Sequence, residues 1–326
     1  MKKYKISIVG STGVVGRELL KLLETTKIPI NQLKCFASSK SKGKKLPFRN
    51  SAIEVECVDD KSFDGMDFIL FCTEGEFSSK FVPMAVKAGA IAIDSSSYYR
   101  MDPSVPLIIP EINGNIIKEK KYNIIASPNC TTTIMLMALH HLHNEFIIDS
   151  IIASTYQAAS GGGKALLDLL VDETKKCINE ETFIPSYAFN VYLHDSQMHE
   201  NNYCSEELKM LYESRKILQD ENIKISATCV RVPVMRAHSI SLNITFKKDP
   251  AIDKIKKLLK KSSGVIYDDG KMPTPQMASG KNNIFVGRVR KPLFQPCGLE
   301  MWVVGDQLLK GAALNVLQIV ELLCPC

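Results

Sequence analysis

An α/β chain built on a doubly wound parallel sheet, followed by a mixed α+β second domain, is predicted from three observations. A strand, a glycine turn and a helix occupy the first 24 residues. Apolar strands then alternate with helical segments as far as residue 129, and after it the texture changes to alternating strands with helices between them.

Lys5 to Val9 is a short run rich in Ile and Val. The preceding Met1-Lys2-Lys3-Tyr4 has the charge of a signal n-region, but the apolar stretch gives way to glycine at residue 10, so it reads as a first strand. Gly10-Ser11-Thr12-Gly13-Val14-Val15-Gly16 follows, then the helical pattern Arg17 to Glu24. A Gly-x-x-Gly-x-x-Gly turn in this position lets backbone approach a pyrophosphate at a helix N-terminus, the Rossmann-type arrangement for a dinucleotide; the other reading is an ordinary glycine turn. Further strands are expected at Leu33 to Ala37, Phe68 to Cys72 and Ile91 to Ile93, with a helix at Ser78 to Ala88. In the second part, Ile148 to Tyr156, Cys229 to Val234 and His238 to Phe246 read as strands, and Gly163 to Lys176 and Ser205 to Leu218 as helices. Gly311 to Leu323 is an amphipathic helix with small residues at its start, suited to docking on the first domain. The expected division is 1–129 for dinucleotide binding, 130–305 for catalysis, substrate and dimerisation, and 306–326 for the returning helix.

With 326 residues, 45% hydrophobic and 23% charged, the chain is an ordinary globular protein with room for two domains. The net charge of +6 is spread over helical surfaces, which gives no reason to expect nucleic acid and suits anionic small molecules. No run approaches the roughly 18 apolar residues that read as a membrane span, and a cytoplasmic location is expected. Eight of the ten cysteines, at 35, 57, 72, 130, 177, 204, 229 and 297, lack paired spacing, against both a disulfide framework and a zinc cluster, so no metal is expected. Cys324-Pro325-Cys326 has one residue between thiols and reads as a tail without function.

Cys130 is the candidate nucleophile. In Ile124-Ile-Ala-Ser-Pro-Asn-Cys-Thr-Thr-Thr-Ile134 an apolar strand stops at Ser-Pro-Asn and runs into a helix. The first turn of a helix offers N–H groups and partial positive charge that stabilise a thiolate. The plain alternative is a small buried hydrophobe, as most cysteines are. Gln157 closes a strand ahead of Ser160 and a Gly161-Gly162-Gly163 turn, where backbone can approach a ligand. Arg231 and His238 flank Pro233; an arginine fork binds carboxylate, and histidine titrates where acid–base work is done. Glu206 and Lys209, three apart on a helix, can hold an ammonium and a phosphate, or form an exposed ion pair. After the second strand, where an NAD enzyme usually offers an acid, the chain has Ser38-Ser39-Lys40-Ser41-Lys42-Gly43-Lys44-Lys45. Hydroxyls and ammonium groups suit the 2′-phosphate of NADP; a solvated basic loop is the alternative.

Gly10 to Gly16, Ser127-Pro-Asn-Cys-Thr-Thr132, Tyr156-Gln-Ala-Ala-Ser-Gly161, Arg231 with His238 and Lys310-Gly-Ala-Ala-Leu-Asn315 together resemble the aspartate-semialdehyde dehydrogenase family. The likeness includes Arg100 to Asn113 and Phe285 to Arg290 and runs along nearly the whole chain. It implies a glyceraldehyde-3-phosphate dehydrogenase-like fold and the NADPH-dependent conversion of β-aspartyl phosphate to aspartate β-semialdehyde, at the branch to lysine, threonine and methionine. Cys130 is then the nucleophile, His238 the acid–base group and Gln157 the residue orienting the acyl intermediate. Arg231 grips the substrate carboxylate, Glu206 the ammonium, and Arg100, Asn129 and Lys209 the phosphoryl group. NADP(H) falls to Gly10, Ser11, Thr12, Gly13, Val14, Val15, Gly16, Ser38, Ser39, Lys40, Ser160, Gly161 and Asn315. The family often carries arginine at the position of Lys40, and lysine lacks the planar fork. A homodimer or homotetramer is implied. The alternatives are N-acetyl-glutamyl-phosphate reductase, with a similar thiol mechanism on a longer acylated substrate, and an NADP-binding redox sensor with Cys130 as its switch.

Overall fold

The computed structural model describes residues 2–180 and 182–324, which form two compact units, Met1–Asn129 with Ala312–Cys326 and Cys130–Gly311. The segment from residue 306 is therefore shared between the units, with its first six residues in the second.

The first unit holds β1 (Tyr4–Val9), β2 (Ile30–Phe36), β3 (Lys45–Phe48), β4 (Ser51–Glu56), β5 (Phe68–Phe71), β6 (Ile91–Asp94) and β7 (Ile124–Ala126). They form one sheet in the order β3-β4-β2-β1-β5-β6-β7, parallel except for the β3–β4 hairpin. Strand order reverses at β1, the switch point of a doubly wound sheet, where ligands bind beyond the strand ends. The runs of Ile, Val and Phe in β1 and β5 are buried on both faces, as parallel strands covered by helices must be. Leu19 and Leu23 of the helix Val14–Thr25 and Val316 and Val320 of the helix Leu314–Leu323 belong to that core. The predicted helix at Gly311 starts regularly only at Leu314, after a π-helical turn at Leu309–Ala313.

The second unit holds β8 (Ile148–Gln157), β9 (Tyr192–Leu193), β10 (Lys224–Arg231), β11 (His238–Phe246), β12 (Val265–Tyr267), β13 (Ile284–Arg290) and β14 (Gly298–Gly305). Their order is β12-β13-β14-β11-β8-β10-β9, with β8–β10 and β12–β13 parallel and the other pairs antiparallel. Odd-numbered residues of β8 and β10 and even-numbered residues of β11 turn to the buried face, with the helix Cys130–Phe146. Ile152 and Tyr156 alternate onto the opposite, exposed face, where the Tyr156 ring lies 5.5 Å from that of Trp302. The strand predicted at Cys229 to Val234 instead runs from Lys224 to Arg231. Its polar half, Lys224 to Thr228, hides the period of two, and Pro233 ends the pairing earlier than hydropathy suggests.

Among the described residues no group of His, Cys, Asp or Glu has the geometry of a metal site, and no helix is long and apolar enough to cross a membrane. Of the terminal Cys-Pro-Cys motif, Pro325 and Cys326 lie outside the described residues. Cys324 is buried in the core of the first unit.

Candidate active site

Register brings the chemistry of the second unit together. Arg231, the last residue of β10, pairs with Gln157, the last residue of the parallel β8. Ser239 of β11 pairs with Tyr156 on the other side of β8, which sets His238 at the same end of the sheet. The inward parity of all three puts their side chains on the face that carries the Cys130 helix. Gln157 Nε2 donates to Thr131 Oγ1 at 3.0 Å, and the Cys130 Sγ lies 3.8 Å from that same hydroxyl. Gly311 passes close to the thiol-bearing residue, since a Cβ there would stand 2.8 Å from Cys130 Cβ.

Glu206 enters from the first turn of the helix Ser205–Leu218 and is buried. One carboxylate oxygen accepts from Gln157 at 3.4 Å and the other from Lys209 at 3.1 Å. The pair thus bounds the site and is no exposed surface bridge. Arg231 is 4% exposed; its Nη2 donates to Asp195 at 3.3 Å, and its Nε has no hydrogen-bond partner among the described residues.

His238 is fully buried. Its Nδ1 accepts the Ala158 N–H at 3.0 Å, and its Nε2 has no partner among the described residues. Burial, then the charge of Arg231, pushes its pKa down to about 3 despite the opposing pull of Glu206, so the ring is neutral. Since an amide N–H can only donate, the neutral ring must carry its proton on Nε2. Gly161 is what leaves that nitrogen room: a Cβ on it would lie 3.0 Å from Nε2 and 3.3 Å from Arg231 Nη1. The backbone before the histidine is strained, with Ala237 at φ +74. Gln307 holds it by accepting the Ala237 N–H at 2.9 Å, and donates to Ser160 Oγ at 2.5 Å.

In the first unit, Gly10 sits at φ +86, and a Cβ would meet the Cys72 carbonyl oxygen at 2.3 Å; one on Gly16 would meet Gly10 O at 2.2 Å. Gly13 stands at the N-cap with no side chain to occupy the first N–H groups of the helix, which a helix N-terminus offers to a pyrophosphate. The turn is tied to β2 by the Gly10 and Ser11 N–H groups donating to Phe36 O. The loop after β2, with Ser38 and Ser39, forms a single helical turn, Ser39–Ser41. Thr12 and Lys44 both donate to Ser41 Oγ at 3.4 Å, and Arg17 Nε to Thr12 O at 3.2 Å. Hydroxyls and cations therefore gather beside the turn, and these residues fit a phosphorylated dinucleotide.

Other predicted residues are more committed. Arg100 is buried and donates from Nε to Ser127 O at 3.0 Å and from Nη2 to Ser95 O at 2.7 Å. Asn129 is buried at the end of the same unit. Asn315 spends its amide nitrogen on Ile108 O and Ser127 Oγ.

Residues 5–120 match the semialdehyde dehydrogenase NAD binding domain, and residues 139–310 the semialdehyde dehydrogenase dimerisation domain. An aspartate-semialdehyde dehydrogenase of Aquifex aeolicus (strain VF5) is 44% identical over 333 residues, 98% of this chain and 98% of its own. The chain belongs to the aspartate-semialdehyde dehydrogenase family. Another member, from Bacillus subtilis (strain 168), is 38% identical over 97% of this chain and 96% of its own. The crystal structure of aspartate semialdehyde dehydrogenase II from Vibrio cholerae complexed with ASA is similar with a TM-score of 0.95, at 36% identity over 99% of this chain and 98% of that one. The oxidoreductase class, the NAD(P)-binding domain and the two-domain α/β fold expected from sequence all stand with this family.

Within the family frame, sequence reasoning misses Thr131, Asp195, His194 and Gln307. His194 is half-buried beside the charges of Glu206 and Arg231, and burial lowers its pKa. Asp195 and His194 lie in an irregular segment with no periodicity to mark them. Thr131 is visible only as a helix-start hydroxyl.

Proposed function

We propose that this chain reduces L-4-aspartyl phosphate to L-aspartate 4-semialdehyde and phosphate with NADPH, through a thioacyl intermediate on Cys130, in the biosynthesis of lysine by way of diaminopimelate, of threonine and of methionine. The observation that carries this reading is the pairing of Arg231 with Gln157 at one sheet end, with buried Glu206 against the same glutamine. An amino acid substrate presents a carboxylate and an ammonium, and these groups match Arg231 and Glu206 in charge and hydrogen bonding. Asp195 already lies as a carboxylate on the Arg231 fork.

Cys130 attacks the acyl phosphate as a thiolate, and the thioester so formed is activated toward reduction. Gln157, anchored through its nitrogen, orients the acyl group, and His238 is the acid–base group of the acyl transfer. Lys209, Arg100 and Asn129 hold the phosphoryl group. The glycine turn Gly10 to Gly16, with Ser38, Ser39, Lys40, Ser160, Gly161 and Asn315, holds the dinucleotide, which when bound supplies the hydride. The absence of an acid after β2 and the cations beside Ser41 favour NADP over NAD. A cytoplasmic homodimer or dimer of dimers is the proposed assembly, and the exposed sheet face of Ile152, Tyr156 and Trp302 is its contact surface.

The test is phosphate-dependent reduction of NADP by aspartate semialdehyde, run beside N-acetylglutamate semialdehyde and with Cys130→Ala. Reaction with the first aldehyde alone, lost in the variant while NADP still binds, is expected. Preference for the acetylated substrate refutes the proposed substrate. An active variant refutes the thioacyl route, and an inactive wild type favours a redox sensor.

A further inference from the structure

Resting on that reading, we infer that Asp195 is a positioning residue whose carboxylate stands in for the substrate α-carboxylate on Arg231 in the substrate-free site and yields that place when the substrate arrives. Arg231 is 4% exposed, and its Nη2 donates to Asp195 Oδ1 at 3.3 Å. Among the described residues no other carboxylate pairs with this guanidinium. The oxygens of Glu206, the other buried acid of the site, face Gln157 and Lys209. A fork meant for a substrate carboxylate is a buried cation with nothing to balance it until the substrate binds, and an unpaired buried charge is costly. Asp195 supplies the balance.

The chain fixes the backbone on both sides of Asp195. Before it, Tyr192 and Leu193 of β9 pair with Arg231 and Val230, and the His194 N–H donates to Cys229 O at 2.8 Å. Tyr187 Oη donates to Val232 O at 2.7 Å, and Glu173 accepts the Tyr187 and Ala188 N–H groups at 2.7 and 2.9 Å. After it, the Ser196 hydroxyl accepts the Glu206 N–H at 3.0 Å, and the Ser205 N–H donates to Gln197 O at 2.8 Å. Asp195 therefore lies on the short link between the carboxylate grip and the helix that carries the ammonium grip. Its side chain is not held in the same way: it is 58% exposed, and its one hydrogen bond among the described residues is to Arg231. His194 makes no rival claim on it, because its Nδ1, 3.6 Å away, accepts the Ser196 N–H at 3.2 Å, and burial keeps the ring neutral.

Exchanging one carboxylate for another on Arg231 needs no backbone movement. The Asp195 side chain turns into the solvent that already reaches it. The incoming carboxylate takes the Nη2 contact together with Nε, which has no partner among the described residues. Asp195 offers one oxygen to one nitrogen, whereas a carboxylate spanning Nε and Nη2 is bidentate, the stronger arrangement. That difference lets the substrate win the site. The tethered carboxylate still competes for it, so removing Asp195 should tighten substrate binding and at the same time leave the buried guanidinium unbalanced in the free protein. A residue that merely braced the site would, when removed, weaken both.

The test uses the full chain in phosphate-dependent reduction of NADP by aspartate semialdehyde, with Asp195→Asn, Asp195→Ala and Asp195→Glu beside the wild type. In the two neutral variants the KM for aspartate semialdehyde should fall about two- to five-fold, the worth of one exposed carboxylate contact, with the gain in kcat/KM carried by KM. The melting temperature of the substrate-free variants should fall by roughly 2–4 °C. Asp195→Glu keeps a carboxylate within reach and should hold the wild-type KM. The KM for phosphate, taken at saturating aldehyde, is the internal control and should not follow. An aldehyde KM that stays or rises in the neutral variants overturns the inference. So does a phosphate KM that falls by the same factor, since a general opening of the site moves both, and so does Asp195→Glu behaving like Asp195→Asn. Because the side chain is exposed, neither neutral variant opens the core of the second unit. Failure of the proposed reaction appears apart from all of these, as an inactive wild type.

Discussion

Gly161→Ala is the sharpest probe of the site, because the added methyl group meets two functional side chains. Its Cβ would stand 2.9 Å from His238 Cε1, 3.0 Å from Nε2 and 3.3 Å from Arg231 Nη1. Carbon contacts relax at about 3.5–4.0 Å, so the ring must retreat by roughly 0.6–1 Å. His238 is 0% and Arg231 4% exposed, so neither can swing into solvent, and the displacement falls on the backbone of β11 or on the 159–162 turn. Displacing a reacting geometry by about 1 Å costs on the order of 10²-fold in rate, and overpacking costs about 1–3 kcal/mol of stability. The assay is steady-state, phosphate-dependent reduction of NADP with aspartate semialdehyde, with thermal denaturation in parallel. Gly163→Ala is the matched control: it has φ +85, and its Cβ would meet nothing within 4 Å. With ψ −171 it lies in a region open almost only to glycine, so the variant should lose roughly 1–3 kcal/mol to backbone strain and keep its turnover. Gly161→Ala with the kcat/KM of the wild type would refute the claim that this glycine keeps space open at Nε2.

Acid should destabilise the fold through groups kept neutral by burial. His238 has a folded pKa of about 3 against an unfolded value near 6.5, so its contribution is full above pH 6.5 and is lost as pH falls toward 3. Denaturation midpoints across pH 5 to 8 should fall more steeply on acidification in wild type than in His238→Asn, by at most about 1.4 kcal/mol per pH unit; equal slopes would contradict a neutral buried ring. At the cofactor loop, Lys40→Ala should raise KM for NADPH several-fold and leave KM for NADH unchanged, and an unaltered ratio of the two removes Lys40 from 2′-phosphate binding.

The parts of the fold legible in the sequence are those where one periodicity runs unbroken. β1, the glycine turn and the helix behind it sit within a few residues of expectation, and the helix Ser205–Leu218 matches it at both ends. β10 departs from expectation because Lys224, Ser226 and Thr228 occupy its exposed face and mask a strand whose inward residues are Ile225, Ala227 and Cys229. The hairpin of β3 and β4 is hidden because Lys44 and Lys45 resemble a solvated loop. For the site, motif residues are readable one by one, but not the relations that make them a site. Strand register sets Arg231 beside Gln157, and the Ala158 amide fixes the histidine tautomer. No string of residue types carries that information, because each depends on two distant segments meeting.

The division of labour between strand ends and the Ser205–Leu218 helix bears on how such an enzyme changes its diet. Gln157, Arg231 and His238 are fixed by ladder hydrogen bonds shared across three strands, so altering one disturbs its neighbours. Glu206, which would tell a free amine from an acylated one, stands in the first turn of a separate helix and reaches the sheet through its contact with Gln157. Amine preference can therefore drift, or be redesigned, at the single position 206, while Glu207 beside it, which accepts the Cys229 N–H at 3.0 Å, keeps the helix tied to β10.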